Sequence, residues 1–593
     1  VKTFPKAALV HTRLSIIDTS ARSNQPMSDP KGRFWLIFNG EIYNYRELAT
    51  YLRQRYSFKN HTQGDTEVLL HGLIHEGKAF LHRTNGFFSF AMYDLEKHEV
   101  LAARDRYGIK PLYYSCQDGT LSLGSTLGTV MALVPHSEID HQSLHTYLQL
   151  SYIPAPATML KHVHKLLPGQ ALHYANGRCS VAPWYRMPEG TSGHQHASPS
   201  NQFAAMLAES VRTRLVADVP LGTFLSGGLD SSVITLLTHR EQPGIPAFSI
   251  GFPDQPYFDE SAYAAQIAKH IGIPHHIIPL YTKDLESNLY EVLDAFDEPF
   301  ADSSAVLVNL LSLHTRGHVK VALSGDGADE LLGGYNKHRA LLRSVHGSWI
   351  NTALRAGEPA LRMLPESRHH GMFDRLRRLK RYSRGLRLDF SQRYCEWASF
   401  TPQPLVQSLL LSPNEDGLHP QLRTLLLGLN PTDFNTVLRT DLQWVLPNDM
   451  LYKVDSMSMH RGLEVRVPFL DHRLVEWVLS LPAVLKLNAR GGKLLLREAF
   501  SGAFPTGMFD RPKRGFEAPL GHWMATLLAP HLDKYTAPEY VQRQGLFDAR
   551  ALIQLRKKAA GKNPGDTPHT LWAVLVFQHW YSRYMENHPP PTA

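Results

Sequence analysis

The sequence predicts a strand-rich α+β first part joined to an α/β part with a parallel sheet, which ends in a helical C-terminal stretch. Three observations carry this reading. Before residue 185, β-rich or alternating segments recur at 34–38, 87–93, 100–103 and 112–114, separated by turn residues, and 67–75 has the apolar spacing of a short helix. Residues 189–201 hold glycines, serines, a proline and two histidines with hardly an apolar side chain, the composition of a linker. From Gln202 onward, helical patterns alternate with short β-runs at 222–225, 247–251, 276–279 and 319–323. That alternation implies parallel strands with helices on both faces. The expected organisation is a domain over 1–185, a linker over 186–201 and a second domain over 202–593. After Tyr335 the second domain is mainly helical, and its proline-rich tail, 587–593, is expected to be disordered.

The chemistry concentrates in two glycine turns that follow β-runs. The first is Ser226-Gly227-Gly228-Leu229-Asp230-Ser231-Ser232, with apolar residues on both sides. Adjacent glycines let the backbone approach a ligand, and unpaired amides at a helix start attract anions. Three serine hydroxyls add donors, so the turn suits phosphate. It lacks the Gly-Lys-Ser/Thr of a Walker loop. An ordinary βα turn is the plain alternative for a glycine-serine turn taken alone. The second turn is Ser324-Gly325-Asp326-Gly327-Ala328-Asp329-Glu330, with three carboxylates in five positions. Such charge in a turn needs an offsetting cation, and beside a triphosphate the hard ion Mg2+ is the expected one. An isolated Asp-x-x-Asp-Glu would more simply be a solvated acidic loop; the phosphate turn favours metal.

Length and composition bound the rest. At 593 residues the chain needs at least two domains. Apolar residues make up 43% and charged residues 20%, ordinary for a globular protein. No apolar run is long enough to span a bilayer, and three cysteines (Cys116, Cys179, Cys395) give neither a disulfide framework nor a metal-spaced pair. A cytoplasmic setting is expected, with no membrane partner. The net charge of +8 raises a nucleic-acid partner, and residues 375–387 carry seven arginines and lysines. Phe373, Leu376, Leu379 and Tyr382 recur every third residue there, so a surface helix with a basic solvent face is the simpler reading, and no nucleic acid is expected.

The serine-glycine turn resembles the pyrophosphate loop of ATP pyrophosphatases. The resemblance widens with Phe38-Asn39-Gly40-Glu41-Ile42-Tyr43-Asn44, Arg104-Asp105-Arg106-Tyr107-Gly108-Ile109-Lys110-Pro111-Leu112-Tyr113 and Leu463-Glu464-Val465-Arg466-Val467-Pro468-Phe469-Leu470-Asp471. In this order the strings resemble the glutamine-hydrolysing asparagine synthetases from Leu9 to about Trp523. The resemblance implies a glutaminase domain of the N-terminal-nucleophile type followed by an ATP-pyrophosphatase-type synthetase domain. It implies ATP and Mg2+ as cofactors, small-molecule substrates (aspartate, glutamine or ammonia) and a homodimer as one option.

By that resemblance Arg13 holds the α-carboxylate of glutamine, Glu41 and Asp65 its ammonium, and Asn39 with the amide of Gly40 forms the oxyanion hole. Asn39-Gly40 alone would read as a hairpin turn. In the second domain Ser226, Gly227, Gly228, Asp230, Ser231, Ser232, Ile250, Ser324 and Gly325 are implied to bind ATP, Ile250 through its backbone. Asp230 and Asp329 are implied as Mg2+ ligands, Asp326 as an acceptor-side group and Lys493 as the lysine that balances phosphate charge. A solvated helix lysine rivals that last role because the match around Lys493 is short. Asp297-Glu298-Pro299 and Asp302-Ser303-Ser304 resemble the acceptor-side segment. Two departures stand out. Ser456 sits where relatives commonly carry arginine, which leaves the acceptor open. The family's nucleophilic cysteine would precede Val1, so the chain is expected to be N-terminally trimmed and its glutaminase domain incomplete.

The leading expectation is an amide ligase that converts aspartate to asparagine through an acyl-adenylate, with nitrogen from glutamine in a full-length protein or free ammonia here. A sugar acid or peptide carboxylate in polysaccharide synthesis is the alternative acceptor. A basic RNA-associated nucleotide binder is the alternative of another class.

Overall fold

Five parallel strands organise the second domain, in the order His275–Pro279, Ala247–Gly251, Leu221–Phe224, Val321–Leu323, Glu464–Arg466. The chain leaves Leu221–Phe224 toward one edge, through Ala247–Gly251 and His275–Pro279, and later returns to its other side. Both glycine turns therefore leave the carboxyl ends of the two strands that flank this reversal, where open α/β sheets bind ligands. The strand expected over 319–323 shortens to Val321–Leu323 because the Val319 amide donates to Thr315 O, which ends the preceding helix. The computed structural model describes residues 1–134, 138–190, 198–254, 259–364, 371–412, 418–509, 520–561 and 563–586. Residues 191–197 of the expected linker, and the proline-rich tail, lie outside the described residues. The helix Pro199–Arg214 opens the second domain, three residues before the expected boundary, with Pro199 in its first turn, where a missing N–H is harmless.

The first domain is built on a six-stranded sheet, in the order Arg178–Pro183, Gln170–Ala175, Glu99–Arg104, Gly86–Asp94, Phe34–Ile42, Met27–Ser28, all antiparallel. The run expected at 34–38 extends to Ile42, and Asn39 pairs with Ser89 in register, so Asn39-Gly40 is strand and not a hairpin turn. Gly40 lies so close to the neighbouring strand that a Cβ would come within 2.1 Å of Phe87 O. The expected short helix is observed as Asp65–Glu76. A second helix, Tyr45–Tyr56, buries Tyr45, Leu48, Ala49 and Leu52 on one stripe and turns its arginines outward.

The two domains share hydrophobic cores instead of meeting across a wet boundary. Tyr147, Leu148 and Tyr152 of the first domain pack in one cluster with Leu571, Trp572 and Phe577 of the helix Thr567–Tyr581. Pro568 pre-sets that helix's first turn, and full burial of each large apolar side chain contributes about 1.5–3 kcal/mol. Polar ties reinforce the junction. Tyr147 Oη donates to Ala573 O (2.8 Å), Asn85 Nδ2 to Asp471 Oδ2 (2.9 Å), and Lys110 Nζ to Asp455 Oδ1 (2.5 Å).

The basic run 375–387 is absorbed by folding. On the helix Gly371–Gly385 and just beyond it, Arg377 pairs with Asp374 and Asp566, Arg378 with Asp374, Arg384 with Glu396, and Arg387 with Glu358. Arg381 donates to the carbonyls of Glu396 and Trp397 (both 3.1 Å). No helix among the described residues is long and apolar enough to cross a membrane.

Asp297 and Glu298, expected on the acceptor side, are drawn into the junction. Asp297 Oδ2 accepts the Gly128 amide (2.7 Å), while Glu298 pairs with Lys165 and accepts the Met159 amide (3.1 Å). Lys165 and Glu298 are both buried, so removing one partner strands the other charge. Lys165→Met should lower stability by about 3–5 kcal/mol in denaturant titration, and a Lys165→Met, Glu298→Gln double variant should recover part of that loss. Parental stability in Lys165→Met would contradict the pairing.

Candidate active sites

The first cluster lies at the end of strand Phe34–Ile42. Asn39 and Gly40 belong to this strand, and Glu41 follows, buried, with its carboxyl pushed well above the usual range by desolvation and then by Asp65 and Glu464. Asp65 opens the helix Asp65–Glu76, and its Oδ2 accepts the Ile42 amide (2.8 Å). Burial raises its pKa to about 6 against that hydrogen bond. Glu41 and Asp65 thus form an acidic pair that a cation would stabilise. Arg13 lies on a neighbouring loop, with its guanidinium donating to Ile17 O and Asp18 O (both 2.7 Å) and Ser20 O (3.3 Å). Asp18 ties that loop to the one before Asp65 by accepting the Gln63 amide (2.8 Å).

None of the three thiols is near a nucleophile's usual state where a shift is resolved. Burial pushes Cys395 up to about 11, and burial with the adjacent Cys116 pushes Cys179 up to about 12. Cys116 and Cys179 lie on the strands Tyr113–Gln117 and Arg178–Pro183, and Cys395 is on the helix Phe390–Ala398.

The second cluster forms where the two glycine turns meet. Gly228 caps the helix Leu229–Glu241, whose first turn carries Asp230. The Ser226 and Ser231 hydroxyls are 3.0 Å apart, and Gly227 has φ +74°. Ser232 is turned inward, with its hydroxyl donating to Gly228 O (2.7 Å), so it does not join Ser226 on the open side. Gly325 of the second turn packs onto the first: a Cβ there would lie 2.9 Å from both Asp230 Cβ and Ser231 N. Only glycine lets these turns touch. Ile250 sits on the adjoining strand Ala247–Gly251 with its side chain in the core, which leaves its backbone for any ligand.

Charge then converges. Lys493 Nζ lies 2.5 Å from Asp230 Oδ2 and 2.6 Å from Asp329 Oδ1, and these carboxylates hold the buried ammonium firmly charged. The lysine is buried and adopts φ +58° just before the helix Leu494–Ala499, its amide donating to Leu332 O (2.9 Å). The Ser324 hydroxyl donates to Asp326 Oδ2 (2.7 Å). Asp326 is raised by burial, opposed by that hydrogen bond and by Lys453.

Two groups here were not singled out from sequence. Lys453 donates to Asp302 Oδ2 (2.6 Å), and Asp302 also accepts the Ser304 amide and hydroxyl (3.0 and 2.8 Å). The signal for it was a lysine inside the apolar stripe of Leu451, Val454 and Met457. Glu330 accepts the Tyr335 hydroxyl (2.6 Å), and burial with Asp329 nearby lifts its pKa to about 8.

A glycine-serine turn at a sheet's reversal point, joined through shared cores to a domain with a buried acidic pair, defines a two-domain protein whose α/β sheet presents a ligand cleft. Comparison with known proteins agrees. The asparagine synthase family model matches residues 202–582, and the glutamine amidotransferase domain model matches residues 2–185. The chain belongs to the asparagine synthase family. It is 30% identical to asparagine synthetase [glutamine-hydrolyzing] 1 of Bacillus subtilis (strain 168), over 98% of this chain and 90% of that protein. It is 33% identical to a putative asparagine synthetase [glutamine-hydrolyzing] of Mycobacterium tuberculosis (strain ATCC 25618 / H37Rv), over 98% and 89%. Amidase chyE of Penicillium rubens is 28% identical over 93% and 87%.

Glu330 sets a pH dependence. Its folded pKa of about 8 exceeds the ordinary 4.5, so the stability held by its protonated form is complete below pH 4.5 and is lost as pH rises through 8. Glu330→Gln should match the parent's melting temperature at pH 5 and exceed it at pH 9. An equal offset at both pH values would contradict this assignment.

Proposed function

We propose that the protein is an ATP-dependent amide ligase that converts aspartate to asparagine. The observation that carries this reading is the contact between the two glycine turns, in which Gly325 packs on Asp230 and Ser231 of a phosphate-type cradle and is followed by the half-buried carboxyl Asp326. The acceptor carboxylate attacks the α-phosphorus of ATP and pyrophosphate leaves. Ammonia attacks the acyl-adenylate carbonyl, gives up a proton and displaces AMP. Asp326, raised by burial, is suited to take that proton, and Lys493 to offset phosphate charge. Ser226, Gly227, Gly228, Ser231, Ser324 and Gly325 line the nucleotide, Ser232 shapes the loop from beneath, and Ile250 meets the base through its backbone.

A magnesium ion fits the donor set. Asp230 and Asp329 direct oxygens at one cationic point, now the Lys493 ammonium, and a hard ion takes such oxygens. Among the described residues no group of three or more metal-ligating side chains occurs, so phosphate and water oxygens would complete its shell. When bound, it supplies neutralisation of polyphosphate charge.

In the first domain, Glu41 and Asp65 would receive the ammonium of glutamine, Arg13 its carboxylate, and Asn39 with the Gly40 amide the developing oxyanion. Burial raises Cys395 to about 11 and Cys179 to about 12, so neither of these two thiols is an activated nucleophile.

With ammonium and Mg-ATP, aspartate should give asparagine, AMP and pyrophosphate in equal amounts, measured by chromatography. Pyrophosphate release that ignores aspartate and responds to a sugar acid would move the acceptor to that class, a possibility kept open by Ser456 and by relatives with other names. Asp230→Asn and Asp329→Asn should each lower ATP–pyrophosphate exchange by at least 100-fold, and near-parental exchange in either would remove that carboxylate from the site. Cys179→Ser and Cys395→Ser should leave glutamate release from glutamine at the parental rate, and loss of release in either would assign that thiol as the nucleophile.

A further inference from the structure

The groups assigned to the nucleotide site leave a charge problem. Asp230 and Asp329 together outweigh Lys493, which they already saturate at 2.5 and 2.6 Å. Without the magnesium ion proposed above, a polyphosphate tail would meet a net negative wall. The cavity of about 660 Å³ in front of the serine-glycine turn shows what corrects this. Ser226, Gly228 and Asp230 line it together with Arg339, Arg490 and Arg497. Four cationic side chains then face the space against two carboxylates, Asp230 and Glu260.

We propose that Arg339, Arg490 and Arg497 form the subsite that holds the β- and γ-phosphates of ATP and, after adenylation, the pyrophosphate leaving group. This rests on the nucleotide reading above. Each arginine comes from a different part of the fold. Arg339 lies on the helix Asn336–Val345, Arg497 on the helix Leu494–Ala499, and Arg490 in the loop between Asn488 and Lys493. None of the three forms an ion pair with another described residue. Arg339 donates only to Asn336 Oδ1, a neutral acceptor on its own helix. By contrast, Arg377, Arg378, Arg384 and Arg387 are each engaged by a carboxylate. Three uncommitted forks facing one cavity are what bidentate phosphate recognition uses.

The loop that bears Arg490 is pinned in place. Arg343 Nε and Nη2 both donate to Ala489 O (3.0 and 2.7 Å), and Asn488 Oδ1 accepts the amides of Arg490 and Gly491 (2.8 and 3.0 Å). Gly492 touches the second glycine turn's helix end so closely that a Cβ would lie 2.0 Å from Gly333 O. The backbone under Arg490 is thereby indexed to the same element that presents Asp329. Arg490 and Arg497 are exposed, so their substitution does not disturb a core.

The test is titration calorimetry with inorganic pyrophosphate, AMP and ATP on the full chain, comparing the parent with Arg490→Ala, Arg497→Ala, Arg339→Ala and the Arg490→Ala, Arg497→Ala double variant. Each single variant should weaken pyrophosphate about threefold or more and the double variant at least tenfold, with AMP affinity within twofold of the parent. Arg490→Lys should recover part of the loss. In the exchange reaction, the pyrophosphate concentration for half-maximal rate should rise while that for the acceptor stays put. Parental pyrophosphate affinity in the double variant, in a protein that still binds AMP and ATP, overturns this subsite alone. A parent that binds neither AMP nor ATP overturns it together with the nucleotide reading.

Discussion

One arginine ties the two halves of this molecule together. Arg466 is fully buried on the last strand of the parallel sheet, and its Nε donates to Glu464 Oε1 (2.7 Å) while Nη1 donates to the carbonyls of Arg214 and Val216 (2.8 and 2.7 Å). Its Nη2 reaches to 3.9 Å from Glu41 Oε1 in the first domain's acidic pocket. Its own carbonyl accepts the Ser324 amide (2.9 Å), the first residue of the second glycine turn. The Arg466 Nη2 has no hydrogen-bond partner among the described residues, so the nearby Glu464 and Glu41 carboxylates are what make this buried charge tolerable, and they tie both clusters to positions around it. The acidic pair needs its positive charge, and the turn that presents Asp326 needs its backbone.

The same logic governs the second cluster. Two carboxylates and a lysine at hydrogen-bond distance are stable as a closed set, and they would be exchanged for a nucleotide and its counterion only if other charges compensated. Burial keeps Asp326 and Glu330 above the ordinary carboxyl range, the first held by Ser324 and the second by Tyr335. The cluster thus separates its acids by environment: Asp230 and Asp329 are held by Lys493, while Asp326 and Glu330 are shifted upward by desolvation.

Much of this was legible in the sequence because it is local. The glycine turns announce themselves through residue type at fixed spacing, and the strands that enter them are short β-branched runs. The strand Phe34–Ile42 and the helix Asp65–Glu76 follow from patterning alone, give or take a few residues. What sequence could not give depends on pairs far apart in the chain. Asp297 and Glu298 read as acceptor-side carboxylates, yet their partners are Gly128 and Lys165, well over a hundred residues upstream. The arginines of 375–387 read as a solvent face, and Arg375, Arg378 and Arg387 are exposed, but the sequence does not show that Glu358, Glu396 and Asp566 meet the run. Lys453 looked like any helix lysine before Asp302 was placed beside it. A single sequence carries charge type but not charge partner.

The central claim is that the acceptor carboxylate is activated as an acyl-adenylate in the space between the two glycine turns. Aspartate labelled with oxygen-18 in its side-chain carboxylate tests it most directly, in a reaction run with ammonium and Mg-ATP and followed by mass spectrometry of the nucleotide. Adenylation transfers one carboxylate oxygen to phosphorus, so each AMP formed should carry one heavy oxygen. Label-free AMP accompanied by labelled inorganic phosphate or labelled pyrophosphate would contradict the account, because it would place the attack on a different phosphorus.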